Sequence, residues 1–132
     1  MTRWAHADVL DNGPAYIKTN CDKVCVVSAY TEGDSYAAVM AVVLAEAIMD
    51  SADFEMSDTG DGPVYNRALT TAAGKQDTSA NATGAASHIA FVDTVASKVL
   101  WVTEETSGQS ITAGNPVTFP SLVYTAKQPV AP

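Results

Sequence analysis

The sequence VCVVSAY at residues 24–30 carries the plainest strand signal in the chain. Its β-branched and small apolar residues leave no polar face, which predicts a strand buried on both faces. A turn, TEGD, follows at residues 31–34, where Asp34 or Ser35 is placed to cap a helix. The alanines beyond it favour helix and the valines favour strand. We therefore predict a short helix at about 34–41 and a strand at about 43–50.

From residue 53 onward, short apolar runs alternate with turn residues about every ten positions, which is typical of an antiparallel sandwich or barrel. The predicted strands are Phe54–Met56, Val64–Ala73, Lys75–Ala82, Ser87–Asp93, Lys98–Thr103 and Val117–Thr125. Pro120 makes the last one an edge strand or places a bulge in it, because proline cannot donate to a ladder. The expected fold class is mainly β, an antiparallel β-sandwich or barrel-like domain with short N-terminal helical turns and extended terminal arms.

The two ends of the chain lack the strand pattern of its middle. Residues 1–22 are expected to form an arm followed by two helical turns, the first stopped by Gly13 and the second opened by Pro14. Residues 127–132 form an extended, Pro-rich tail. We predict one domain over residues 1–132, with a β body at 23–126 between these segments.

The composition of the chain argues against several classes of function. Seven Lys and Arg against fifteen Asp and Glu give a formal net charge of −8, and such a chain repels phosphate. Nucleic-acid binding and polybasic membrane binding are therefore not expected. The longest apolar run, residues 36–45, is shorter than the roughly 20 residues that span a bilayer.

The sequence offers little chemistry for a metal site. Cys21 and Cys25 are four residues apart, and on a strand this places them about 13 Å apart, beyond the reach of a disulfide. We predict two free thiols, with Cys25 in the core. A metal site would need further ligands, and the two histidines, His6 and His88, lie in unrelated contexts. No metal and no cofactor are expected.

Acidic residues are concentrated between positions 46 and 61, where no Lys or Arg occurs. They are Glu46, Asp50, Asp53, Glu55, Asp58 and Asp61. One interpretation is a solvated edge and loop; the alternative is a surface for a cation or a basic partner. The order of ligands in an EF-hand loop is missing.

Two short patterns suggest catalysis, and neither is in a suitable context. Asp58, Thr59 and Gly60 match the triplet of aspartic proteases but lie in a solvated turn rather than at the end of an apolar strand. Ser87 and His88 are neighbours on a predicted strand, so they are expected to point to opposite faces and not to pair. We therefore expect no catalytic residues and no enzyme.

The terminal segments hold the candidate partner-binding residues. Trp4 lies in a polar arm, and a large aromatic side chain at a chain end is suited to anchor in a partner's pocket. Packing of Trp4 back onto its own domain is the alternative. The candidates are Arg3, Trp4, His6, Pro129 and Val130.

Four stretches together carry a resemblance to a known group of proteins. They are ADVLDNG at 7–13, KVLWVT at 98–103, QSITAGNPV at 109–117 and FPSLVY at 119–124. The combination resembles small virion structural proteins of tailed bacteriophages and looks most like a capsid cement (decoration) protein. No catalytic residue is implied by this resemblance.

The resemblance implies a binding partner and a location in the virion. The chain would bind the major capsid protein on the outer surface of the head and bridge capsomers, where added buried area strengthens the shell. Self-association through residues 36–45, with a trimer as the candidate state, would accompany this. The alternative is a tail or fibre component with a glycan-binding β-sandwich, which needs an exposed aromatic platform from Tyr30, Tyr36, Tyr65 or Tyr124.

Overall fold

A computed structural model describes residues 7–58, 66–104 and 109–127, and the chain is mainly β, as predicted. The helices are α1 (Ala7–Asn20), α2 (Tyr36–Met40) and a 3₁₀ turn (Ser51–Asp53). The strands are β1 (Lys23–Val27), β2 (Val43–Ile48), β3 (Phe54–Asp58), β4 (Asn66–Thr71), β5 (Gln76–Asp77), β6 (Gly84–Ala85), β7 (His88–Asp93), β8 (Lys98–Glu104), β9 (Ser110–Ile111), β10 (Val117–Thr118) and β11 (Val123–Lys127).

Two antiparallel sheets form the body of the structure. One has the strand order β2-β1-β7-β8 and the other the order β11-β4-β3, and two short ladders, β10-β5 and β6-β9, accompany them. Phe54 of β3 lies 6.3 Å from Phe91 of β7 between ring centroids, and Tyr124 of β11 meets the Trp101 ring edge-on at 5.5 Å. The two sheets therefore face each other as a sandwich, which resolves the choice between sandwich and barrel.

The four-stranded sheet is apolar on both faces, as the sequence at residues 24–30 predicts. Its central strands β1 and β7 pair in antiparallel register from Lys23 opposite Val92 to Val27 opposite His88. Since side chains alternate along a strand, each strand contributes to two separate clusters. The first face carries Val24, Val26, Ile89 and Phe91, and the second carries Cys25, Val27, Ala90 and Val92.

The predicted helix and strand at 34–50 are confirmed. Ser35 is the N-cap of α2, and its hydroxyl accepts a hydrogen bond from the Ala38 amide at 3.2 Å. Val39 is buried on the inner side of this helix, against the second face of the four-stranded sheet. The chain then turns into β2, which pairs with β1.

Helix α1 departs from the prediction. It runs without a break through Gly13 and Pro14, so the predicted division into two turns is wrong. A proline inside a helix costs about 3 kcal/mol, because its nitrogen cannot donate and its ring crowds the preceding turn. Pro14 and Ile17 are buried where α1 lies across β3, β4 and β11, and this packing outweighs the local stop signal.

The predicted strand at 117–125 is also divided. Residues 119–122 leave the ladder around Pro120, so β10 pairs with β5 while β11 pairs with β4 in another sheet. Buried Thr71 fixes this crossing, because its hydroxyl accepts from the Leu122 amide at 2.8 Å and its carbonyl accepts from the Ser121 hydroxyl at 2.6 Å. The predicted strand at 75–82 shortens to β5.

Replacement of Phe91 tests whether the core between the two sheets holds the fold together. Phe91 is 1% exposed and stacks on Trp101 at a centroid distance of 4.5 Å. We expect Phe91→Ala to lower the free energy of unfolding by about 3–5 kcal/mol in urea denaturation, through lost burial and the cavity that remains. Val123→Ala, at a side chain that is 56% exposed, is the control and should change it by less than about 0.5 kcal/mol. Equal losses in the two variants would contradict this account of the core.

Candidate interaction surface

The structure does not describe the predicted partner-binding residues. Arg3, Trp4 and His6 precede Ala7, and Pro129 and Val130 follow Lys127, so all five lie outside the described residues. Lys127 itself belongs to β11 rather than to the tail. Ala7 and Lys127 therefore bound the described body of the chain.

An uncharged, apolar surface of the described body lies over α2. Ala37, Ala38 and Ala41 are exposed, and their spacing places them on one side of the helix, opposite buried Val39. Half-buried Met40 and Val42 complete this surface, which we call the α2 patch. Residues 36–45 contain no charged side chain, although the chain carries a formal net charge of −8.

The α2 patch exists because α2 is short. Five helical residues cover the second face of the four-stranded sheet, and the apolar side chains around them are only partly covered. These half-buried side chains include Tyr30, Tyr36, Val43, Val99 and Val102. From sequence, residues 36–45 are interpreted either as core or as an inter-subunit patch. In the structure Val39, Leu44 and Ala45 are buried in the core, whereas the alanines of the α2 patch are exposed.

Both cysteines are free and buried, which confirms the predicted thiols. Burial raises the pKa of Cys21 to about 11, with the nearby Asp22 carboxylate adding to the effect. Burial and then the Glu46 carboxylate raise the pKa of Cys25 to about 12. Thiols that hold their protons this tightly are poor nucleophiles and poor metal ligands at neutral pH.

Three residues of the acidic segment, Glu46, Asp50 and Asp53, are engaged in structural contacts. Glu46 pairs with Lys23 at 3.3 Å, and Asp53 pairs with Lys75 at 3.1 Å. Asp50 and Asp53 cap the 3₁₀ turn reciprocally. The cations come from outside the segment, so its sequence alone does not reveal them. Thr59, Gly60 and Asp61 lie outside the described residues.

An open groove of about 450 Å³ lies between β2 and β5. Two of the side chains that line it, Glu46 and Lys75, are committed to the ion pairs above. Its Asp77 carboxylate accepts from the Glu46 amide at 2.9 Å and from the Ser79 amide at 3.0 Å. The polar groups of this groove hold the fold together.

The expectation that Ser87 and His88 do not pair is wrong. The Ser87 hydroxyl lies 2.5 Å from Nδ1 of His88, because Ser87 precedes β7 and its side chain does not follow the strand's alternation. The His88 ring also packs against Tyr30 at a centroid distance of 5.5 Å. In the described part of the chain, no third side chain is hydrogen-bonded to this imidazole to orient it as a catalytic base.

Comparison with known protein families, with curated proteins and with solved structures gives no match. Within residues 7–58, 66–104 and 109–127, no cluster of three His, Cys, Asp or Glu side chains is placed to hold a metal ion. In the same residues, neither helix has the length and apolar character needed to cross a membrane.

The raised thiol pKa values predict a loss of stability at high pH. The folded state holds both protons above the ordinary pKa of 9.0, so this stabilisation is complete below about pH 9. It is lost as the pH rises above 9 and through 11 and 12, and on the order of 2 kcal/mol per thiol is lost by pH 11. Urea denaturation between pH 8 and 11 measures it. The double variant Cys21→Ala, Cys25→Ala should lose less stability over this range than the wild type, and an equal loss would contradict the prediction.

Proposed function

We propose that the chain is a capsid cement (decoration) protein of a tailed bacteriophage. It binds the outer surface of the major capsid protein lattice and stabilises the head by bridging capsomers. The observation that carries this proposal is the α2 patch, an uncharged apolar surface on an otherwise acidic β-sandwich body. The resemblance of the sequence to virion structural proteins suggests the assembly, a phage head, in which this surface would act.

The physical requirements of such a role fit the described structure. A cement protein must be rigid, and the body has an apolar core between two sheets. It must also bury area against neighbours, and a stable interface buries about 1,200–2,000 Å² in total. The α2 patch supplies apolar area for contact between copies, consistent with a trimer, while the terminal sequences hold the predicted anchor residues for the lattice. A net charge of −8 keeps the protein away from packaged DNA.

The tyrosines predicted for a glycan platform favour this role over a glycan-binding tail module where the structure describes them. A glycan platform needs aromatic faces open to solvent. Tyr30 packs on His88 and Tyr124 packs on Trp101, while Tyr36, the first residue of α2, is half-buried. Tyr65 lies outside the described residues. A glycan array with strong, reproducible binding would favour the tail module instead.

Purified protein added to undecorated shells of the phage's major capsid protein should cosediment with them and raise their disruption temperature. Deletion of residues 1–6 or 128–132 should weaken attachment, because these segments hold the candidate anchors. The melting temperature of the deleted chains should stay close to that of the full chain, since both cuts leave α1 and β11 intact. No binding of the full chain to shells would overturn the proposed function.

Substitution of Ala38 tests the α2 patch separately. Ala38→Glu places a charge on the patch, while the helix is preserved because Ser35 and a glutamate three residues later form a capping box. Burying this charge between copies should weaken self-association by about tenfold or more in analytical ultracentrifugation. The matched control is Ala52→Glu, at an exposed alanine away from the patch. Unchanged association of Ala38→Glu would show that copies do not meet through this patch.

A further inference from the structure

The outer strands of the sandwich differ in how their edges are protected. An edge strand carries backbone N–H and C=O groups that can pair with another chain unless something blocks them. The outer strands are β2 and β8 in one sheet and β3 and β11 in the other. The edges of β2 and β3 are engaged by other parts of the same chain.

The edge of β2 is closed at two points. The Leu44 carbonyl accepts from the amides of Asn81 at 2.7 Å and Ala82 at 3.2 Å. The Glu46 amide donates to the Asp77 carboxylate at 2.9 Å. On β3, the ammonium group of Lys18 donates to the Phe54 carbonyl at 2.7 Å. These contacts occupy groups that a foreign strand would need.

The edge of β8 is open in the described part of the chain, where only β7 pairs with it. This strand has seven residues, with charges only at its ends, Lys98 and Glu104. The five residues between them are each half-buried, so apolar side chains on both faces remain accessible at the edge. Trp101 stacks on Phe91 and meets Tyr124, which holds the strand in a fixed position.

A bulge limits the length of β8 that can receive a partner. Phe91 lies opposite Trp101 and Val92 opposite Val99, so Leu100 is the extra residue. Beyond the bulge, Trp101–Glu104 pairs regularly with β7 and offers an extended stretch of four residues. Docking is therefore expected at the Glu104 end of the strand.

The bulge also decides against a second copy as the occupant. Lys98 lies opposite Asp93, on the face of Phe91, whereas Glu104 lies opposite His88, on the face of Ala90. Two antiparallel copies of β8 centred on Trp101 would set Lys98 against Glu104 on opposite faces, where they cannot pair directly. The Lys98 ammonium group is also bonded to the Tyr16 hydroxyl at 3.1 Å. Each copy would further bring a net charge of −8.

We propose that the outer edge of β8 is a docking site for an extended, basic segment of a partner chain. The segment adds a fifth strand to the four-stranded sheet beside Trp101–Glu104 and places a Lys or Arg next to the exposed Glu104 carboxylate. Backbone hydrogen bonds supply the affinity of such a contact, and the ion pair selects a basic segment. This inference rests on the proposed function only for the source of the segment, which is then the capsid lattice.

Amide exchange measured by NMR on the full chain tests the docking itself. The probe is a six-residue peptide that alternates valine with lysine, acetylated and amidated, and its counterpart carries glutamate in place of lysine. At about three times its Kd, the basic peptide should slow exchange about fourfold at those amides of residues 101–104 that point away from β7, since only the free fraction exchanges. Equal protection by the acidic peptide, or none by the basic one, would overturn the proposal.

Charge variants at two glutamates distinguish an ion pair at the β8 edge from general electrostatic attraction between the peptide and the acidic protein. Glu104→Lys should abolish protection by the basic peptide, and Glu104→Gln should weaken it. Glu55→Lys, at an exposed glutamate on β3, should leave it unchanged. If all three variants bind alike, the ion pair is refuted. Protection of residues 101–104 that grows with protein concentration alone would instead identify a second copy as the occupant and overturn the proposal.

Capsid shells distinguish failure of this inference from failure of the proposed function. Attachment to shells without protection of residues 101–104 would leave the cement role standing and refute docking of a lattice segment on β8. Peptide docking without attachment to shells would leave the edge site standing and refute the cement role.

Discussion

The four-stranded sheet must be covered on both faces, and this constraint organises the rest of the molecule. Along β1 and β7, every residue from Val24 to Val27 and from Ile89 to Val92 is buried. Exposing either face would forfeit about 25 cal/mol for each Å² of apolar surface. The three-stranded sheet, with α1 packed against it, covers the centre of one face, while α2 covers the other only in part. The α2 patch is thus a consequence of unequal covering.

The parts of the fold that depend on local sequence could be predicted, and the parts that depend on distant packing could not. The β-branched apolar run at the start of VCVVSAY predicted double-sided burial, and the position of Ser35 predicted the start of α2. Gly13 and Pro14 predicted a break in α1, because nothing nearby in sequence shows that Pro14 is buried against strands from the other end of the chain. Pro120 predicted an edge or a bulge, whereas the chain crosses between sheets there, held by Thr71, some fifty residues away.

The candidate sites show the same division. The α2 patch was one of two interpretations of an uncharged segment, because sequence cannot show which side of a helix is covered. The open edge of β8 was missed, since the neighbours of a strand are set by topology rather than by its own residues. Its only signal in the sequence is an uncharged run between Lys98 and Glu104. The pairing of Ser87 with His88 was missed because it depends on where β7 begins.

Several of the acidic side chains in this protein stabilise its turns and strand edges. Carboxylates of Asp22, Asp34, Asp50, Asp53, Asp77 and Asp93 each accept a hydrogen bond from a backbone amide. The Asp93 carboxylate accepts two such hydrogen bonds, from the amides of Val95 and Ala96 in the turn between β7 and β8. A substantial share of the negative charge therefore fixes turns and edges.

The pairing of β1 with β7 has a consequence for how the chain reaches this structure. These central strands lie more than 60 residues apart in sequence, so the entropy of closing a long loop opposes their meeting. Proteins dominated by such distant pairings fold in milliseconds to seconds rather than microseconds. During synthesis, β1, α2 and β2 emerge before His88–Asp93, so the face of β1 that packs toward the second sheet stays uncovered until β7 has left the ribosome. That interval is when the chain is most exposed to aggregation or to capture by a chaperone.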